Sequence, residues 1–338
     1  MSETIARTID FSIASLPIAL DRAMDPSAPL DSDRRALPQA RSVFWEERLM
    51  LIVLGLAASV PVAIVIALLV VFAHQAWQFF AEVSLWDFLT DTQWTPNFKS
   101  QNVGIAVIAV ATLLIATIAC LVALPVGLLA AIYLREYAPR QVRRVLKPTL
   151  EALAGVPTIV YGYFALRFVT PFLDRFVSLA PFNALSAGLV TGVLIVPVIS
   201  SISEDALDNV PEQLRQGAYA LGFTQRETIL RVVLPVAFPG IIAAFTLAAS
   251  RAFGETTISA IAAGQSPNLT LNPFVPIESM TAFIFQVSLG DVPTDSFIFH
   301  AIFTVGAVLF LITLSLNIFG HWMVRRHSRT MAGLDIPM

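Results

Sequence analysis

Residues 49–81 read LMLIVLGLAASVPVAIVIALLVVFAHQAWQFFA, a run without a single Asp, Glu, Lys or Arg. A bilayer core of ~30 Å is crossed by about 20 helical residues rising 1.5 Å each, so this run is long enough to span it. Residues 100–134, 176–203 and 296–324 are equally free of charge. Residues 152–173 hold only Arg167, and residues 232–277 hold only Arg251 and Glu255. The expectation is therefore an all-α polytopic membrane protein with six transmembrane helices, near 50–73, 104–134, 149–170, 186–203, 238–261 and 299–323.

Composition agrees. A soluble chain of 338 residues would form about two domains of roughly 150 residues each. Yet 56% of the residues are hydrophobic and 13% are charged, about half the usual ~25%. The mean hydropathy is +0.74. Too few charges are present for a water-facing surface, and disorder, a coiled coil or a disulfide scaffold are excluded by the same figures. Cys120, the single cysteine, has no partner within the chain.

The net charge of −3 hides an asymmetry. With six spans, 17 of the 21 Lys and Arg residues fall on one side: six before the first span, five after the second, three after the fourth and three at the C-terminus. Lys99, Arg167 and Arg175 fall on the other, and Arg251 lies inside a span. The positive-inside rule then makes both termini cytoplasmic. Trp86 and Trp94, in the first outer loop, fit an interfacial belt. Residues 1–48 read as a cytoplasmic N-terminal extension, with a polar, Pro-containing linker at 24–41 and no signal-peptide core. Residues 49–98 hold the first span and outer loop, 99–326 the main transmembrane domain, and 327–338 a cytoplasmic tail.

Catalytic signatures are missing. The two lysines, Lys99 and Lys147, lie outside any phosphate-binding glycine loop, and the four histidines lack metal-ligand spacing. A membrane enzyme thus has little support, and no cofactor or nucleic acid is expected on this chain.

The cytoplasmic loop 204–237 is the most patterned polar segment. Asn209 or Asp208 offers an N-cap, Pro211 suits a first helical turn, and Gly222 can close that helix in the left-handed conformation. Thr224-Gln225-Arg226-Glu227 has the form of a capping box starting a second helix, which is expected to end before Leu234-Pro235. Gly222, nine residues, then Val232-x-Leu234-Pro235 resembles the EAA-loop signature of binding-protein-dependent ABC importer permeases. The resemblance implies a coupling element from Gln216 to Pro235 that docks on a cytoplasmic ATPase, with Gly222 as hinge. The EAA triplet itself reads Gln216-Gly217-Ala218 here, so the family's charged residue is absent.

Arg251 and Glu255 stand four residues apart, a spacing that puts both on one face of a continuous helix. A central Arg costs at least ~2.5–3.5 kcal/mol to insert, so such residues normally face a cavity or a partner. One reading is a structural ion pair. The other is an anion contact in a translocation path, since a guanidinium suits tetrahedral oxyanions through bidentate hydrogen bonds. Gly155, Pro157 and Gly162 weaken a continuous third span, and broken helices in transporters expose groups to substrate. Thr158, Tyr161 and Tyr163 are candidate hydroxyl donors there, though simple helix packing explains each one equally well.

These segments also resemble a narrower family. Arg251-Ala252-Phe253-Gly254-Glu255-Thr256 and Glu151–Gly162 (EALAGVPTIVYG) are similar to stretches of the phosphate-specific ABC importer permeases, as are Trp94-Thr95-Pro96, Glu204–Leu207 and Thr281-Ala282. The sequence after Gly254-Glu255-Thr256 resembles the PstC type rather than its partner. The likeness implies a type I ABC importer permease (MetI-like) fold, with Arg251, Glu255, Thr256, Thr158 and Tyr161 on the substrate path. It implies coupling through Gln216, Gly217, Ala218, Gly222, Glu227, Leu234 and Pro235. It further implies a bacterial inner-membrane assembly with a second permease (PstA type), an ATPase dimer (PstB type) that holds ATP and Mg, and an extracytoplasmic phosphate-binding protein (PstS type). A permease for molybdate or sulfate and an ATP-independent channel remain the alternatives.

Overall fold

The computed structural model describes residues 40–96, 102–294 and 296–332, with side chains from residue 48 to 326. The linker expected at 24–41 and the loop residue Lys99 lie outside the described residues, apart from the linker's last two, which open the first helix. The chain divides into two compact units, one up to Val65 and one from Ile66 onward. The first described helix, α1 (Ala40–Glu82), supplies the described part of the first unit, and its side chains from 48 to 65 are exposed throughout.

The second unit is helical. After α2 (Leu85–Thr90) come α3 (Ile105–Tyr137), α4 (Arg140–Gly155) and α5 (Thr158–Leu173). There follow α6 (Ala184–Asp208), α7 (Glu212–Ala220), α8 (Gln225–Phe253), α9 (Met280–Ser288) and α10 (Phe297–Ala332). Five helices (α1, α3, α6, α8 and α10) are long and apolar enough to cross a membrane; α4 and α5 are bent by 90° at the break between them, and would add a sixth crossing as a broken span or form a re-entrant turn. Among the described residues the only β pairing is one isolated bridge, Trp94 to Val103.

The expected third span, 149–170, is therefore not one rod. Pro157 cannot donate a backbone hydrogen bond and pushes Val156 into an extended conformation, ψ 132°. The chain turns there, and α5 begins at Thr158. The fifth span differs in the opposite way at its start. Leu234-Pro235 does not end a helix, because a π-helical turn, Ile229–Val233, widens the coil just ahead of the proline. The ring clash with the carbonyl four residues back is relieved, and α8 continues to Phe253. It ends earlier than the expected 261, at Gly254.

Two further expectations change. Asn209 caps the end of α6, and Pro211 occupies the N-cap of α7, so neither Asn209 nor Asp208 starts that helix. Trp94 is buried and packs edge-on against Phe283 at 5.0 Å, whereas Trp86 is exposed. A bridge partner and an aromatic neighbour take Trp94 out of any interfacial belt.

The core is built on α3 and α6. Gly127 of α3 meets Ile199 of α6, while Gly188 and Gly192 of α6 meet Ile118 and the Ala119 carbonyl of α3. Helices gain little from the hydrophobic effect inside lipid, so close approach through small residues supplies the attraction. A methyl group added at Gly188 would stand 2.7 Å from Ile118 Cβ and 3.1 Å from the Ile115 carbonyl. Gly188→Val is therefore expected to lower stability by about 1–3 kcal/mol through overpacking. Gly155→Ala, where nothing lies within 4 Å, is the control that leaves the thermal unfolding temperature in detergent unchanged.

Candidate translocation path and coupling surface

The end of α8 decides how the two charged residues of the fifth span are used. Arg251 lies on an exposed stripe with Ala243, Leu247 and Gly254. Gly254 stops the helix, so Glu255 does not continue its face. Glu255 is buried instead, and its Oε1 accepts a hydrogen bond from the Ile258 backbone N–H at 3.3 Å, capping the next helical turn. Its carbonyl accepts from the Ser259 hydroxyl at 3.0 Å and from Thr281 Oγ1 at 3.1 Å. Arg251 forms no ion pair with it. The i,i+4 spacing implied one only if the helix ran on. Thr256 turns its hydroxyl back to the Gly254 carbonyl at 3.2 Å. What remains on the exposed face is a guanidinium in an apolar stripe, near Glu255 but not in contact with it, an arrangement that calls for an anion or a facing subunit.

The 90° elbow lies between α4 and α5. Thr158 is the first residue of α5 and half-buried. Tyr161 is buried, and its hydroxyl donates to the Leu153 carbonyl at 2.8 Å, bracing α5 against α4 across the break. Its proton is thus committed to the elbow. Tyr163 is exposed, with the Arg167 guanidinium 5.8 Å above its ring.

Glu278, in the connection between α8 and α10, carries a signal that pattern reading missed. It is 4% exposed and precedes the N-cap Ser279 of α9. The start of α9 is held on α3, where Thr112 Oγ1 accepts from the Met280 N–H at 2.9 Å. Burial pushes the Glu278 carboxyl up to about 7 from 4.5. A carboxyl whose folded-state pKa is raised favours the fold when protonated, so its contribution is full below about 4.5 and lost as pH rises to about 7. Glu278→Gln should flatten the fall in unfolding temperature across that interval, and an unchanged pH profile would remove Glu278 as its source.

At the other end of α8, α7 and the first turns of α8 hold the residues expected to couple to an ATPase. Gly222 has φ +85° with open space around it, so glycine is needed there for its backbone. Thr224 and Glu227 form the reciprocal capping box, and the bonds from Thr224 hold the Glu227 carboxyl below its usual range. Ala218 is buried while Gln216 and Gly217 are exposed. Tyr219 and Leu221 project outward, Leu221 79% exposed, as an apolar knob beside the glycine turn. Leu234 and Pro235 are half-buried at the π-to-α transition rather than at a helix end.

The strongest polar contact here was not legible as a motif. Arg215, on the inner face of α7, donates to Glu136 Oε1 at 2.6 Å and to the Leu207 carbonyl at 2.8 Å. Gln225 Nε2 donates to the Glu136 carbonyl at 2.8 Å, and Arg135 pairs with Asp208 at 2.8 Å. Both Arg215 and Glu136 are nearly buried. The loop is thereby tied to the ends of α3 and α6. Arg215→Met alone is expected to cost about 3–5 kcal/mol by leaving Glu136 buried and uncompensated. Adding Glu136→Leu should recover most of that loss in thermal unfolding.

Residues 123–333 match the family described as the binding-protein-dependent transport system inner membrane component. The chain is 34% identical over 232 residues to a probable ABC transporter permease, YqgH, of Bacillus subtilis, covering 68% of this chain and 75% of that one. It is 33% identical over 269 residues to a phosphate transport system permease protein PstC of Mesorhizobium japonicum, covering 72% and 80%. A PstC of Haemophilus influenzae is 29% identical over 320 residues, covering 87% and 99%. Among solved structures, a bacterial ABC transporter that imports the acidic polysaccharide alginate aligns with TM-score 0.58 and 15% identity, over 84% of this chain and 98% of that one. An inward-facing MetNI methionine ABC transporter aligns with TM-score 0.51 and 20% identity, over 66% and 94%. These two establish the MetI-like permease fold. The chain belongs to the binding-protein-dependent transport family, and is a multi-span inner-membrane transport component rather than an enzyme.

Proposed function

We propose that the chain is the PstC-type permease of an ATP-driven phosphate importer and forms half of its translocation path. Relatives bearing the PstC name cover most of the chain, which supports the substrate class. The observation that carries the reading is Arg251, an exposed guanidinium without an ion-pair partner on an apolar stripe of a spanning helix. Such a group is costly against lipid and favourable against a tetrahedral oxyanion that it can bind bidentately.

The second wall of the path is a PstA-type permease facing that stripe. A PstB-type ATPase dimer, which holds ATP and Mg, docks on the knob of Tyr219 and Leu221 at the turn of Gly222. With Gln216 in place of the usual glutamate, this docking rests on shape and apolar contact. The PstS-type binding protein delivers phosphate from outside. The 17-to-3 distribution of basic residues supports cytoplasmic termini and a cytoplasmic coupling loop. Movement of the ATPases reaches α3 and α6 through the Arg215–Glu136 tie, and reaches Arg251 through α8, which runs unbroken from Gln225 to Phe253. Glu255 shapes the path by holding the turn beyond Gly254.

Labelled phosphate uptake in cells lacking this subunit tests the assignment, with arsenate, sulfate and molybdate as competitors. Restored uptake that sulfate and molybdate leave intact is expected. Arg251→Gln should abolish that uptake while the variant still copurifies with the ATPase. Normal uptake in this variant would sink the anion contact.

A further inference from the structure

The helix α4 presents a second set of cations that the transport reading does not use. It is 16 residues long, none of them buried. Arg140, Arg143, Arg144 and Lys147 share one face, and Val142, Val145, Leu146, Thr149 and Leu153 share the opposite one. Arg143 Nε donates to Glu204 Oε1 at 2.8 Å, and Lys147 Nζ lies 3.1 Å from Glu204 Oε2. The Glu204 side chain is 1% exposed, so this contact pins α4 to the end of α6. Arg140 and Arg144 are exposed and make no ion pair among the described residues. With Arg143, Lys147, Pro148 and Glu151 they line a shallow, open groove to which α4 alone contributes.

The other face is the second, independent observation. Val145 is 65% exposed, and Leu146 and Leu153 are more than a third exposed. Since α4 stands at 90° to α5, it lies in the membrane plane if α5 crosses the bilayer. A basic, amphipathic helix in that orientation places its apolar face at the acyl boundary and its cations at headgroup level. A soluble anion in the groove would leave the valine and leucine face uncovered. An anionic phospholipid accounts for both faces at once.

We infer that α4 is an anionic-phospholipid site in which Arg140 and Arg144 hold the headgroup phosphate while Val145, Leu146 and Leu153 rest on the acyl chains of the surrounding leaflet. Arg143 and Lys147 have a different task, neutralising Glu204. The site rests on the membrane reading above but not on phosphate as cargo.

The test uses the full chain in nanodiscs of phosphatidylcholine with and without phosphatidylglycerol, which expose both leaflets and so do not depend on topology. Wild type should retain phosphatidylglycerol selectively in native mass spectrometry and unfold at a higher temperature with it. In Arg140→Gln/Arg144→Gln, retention should fall about thirtyfold, the loss for two cations at ~1 kcal/mol each. The double Lys variant should keep it. Equal retention by wild type and the Gln variant overturns the site. Displacement of the lipid by inorganic phosphate also overturns it, assigning the groove to a soluble anion. A tryptophan placed by Val145→Trp should be quenched by brominated acyl chains, and absence of quenching in the assembled complex means that protein covers this face. Uptake is read separately, so a failed cargo assignment leaves these outcomes interpretable.

Discussion

The contact between α3 and α6 is the constraint on which the rest of the structure depends. Glycines from each helix admit a side chain or carbonyl of the other, as Gly127 does Ile199 and Gly188 does Ile118. Two of the hydrophobic clusters draw on this pair, through Ala111, Ile115, Val190 and Leu194 in one and Ala119, Ala123, Ile195 and Ile199 in the other. Dispersion between closely packed surfaces is the main attraction left when the surroundings are apolar. The pair therefore serves as a rigid post, and other elements are fastened to it.

The fastenings are polar and sit at its ends. Glu136 closes α3 and takes Arg215 of α7, and Glu204 near the end of α6 takes Arg143 and Lys147 of α4. Each of these two carboxylates is matched by a cation from a different segment, which is the condition under which buried charge is tolerated. At the other end, Thr112 of α3 holds the first turn of α9, and Thr281 of α9 holds the carbonyl of Glu255. The same post thus fixes the 204–237 loop at one end and the turn beyond Arg251 at the other.

Much of this was legible in the chain. The spans follow from length and apolarity, because lipid requires each crossing segment to satisfy its own backbone. The positive φ of Gly222 and the box of Thr224 and Glu227 were readable as local turn and cap chemistry. Arg251 stood out because charge in a span is rare. The misreadings have a common origin. Leu234-Pro235 signals a helix stop, yet a π-helical turn absorbs the proline. The spacing of Arg251 and Glu255 implies one helix face, yet Gly254 ends that helix. The position of Trp94 suits an interfacial belt, yet Phe283, far along the chain, packs on it.

By itself, then, the sequence determined the class, the long apolar spans and the local geometry of the turn at Gly222. Those properties depend on transfer free energies and on backbone preferences of neighbouring residues, which a linear chain carries in full. Only the tertiary structure decided which charges are paired, that Glu255 caps a turn, that Tyr161 braces the elbow, and that Glu278 is buried. A charge's role depends on what is brought within a few ångströms of it by distant segments, and desolvation and hydrogen bonding fall off over that same distance. Arg215 and Glu136 are separated by 79 positions and meet at 2.6 Å. No spacing rule reaches across that interval.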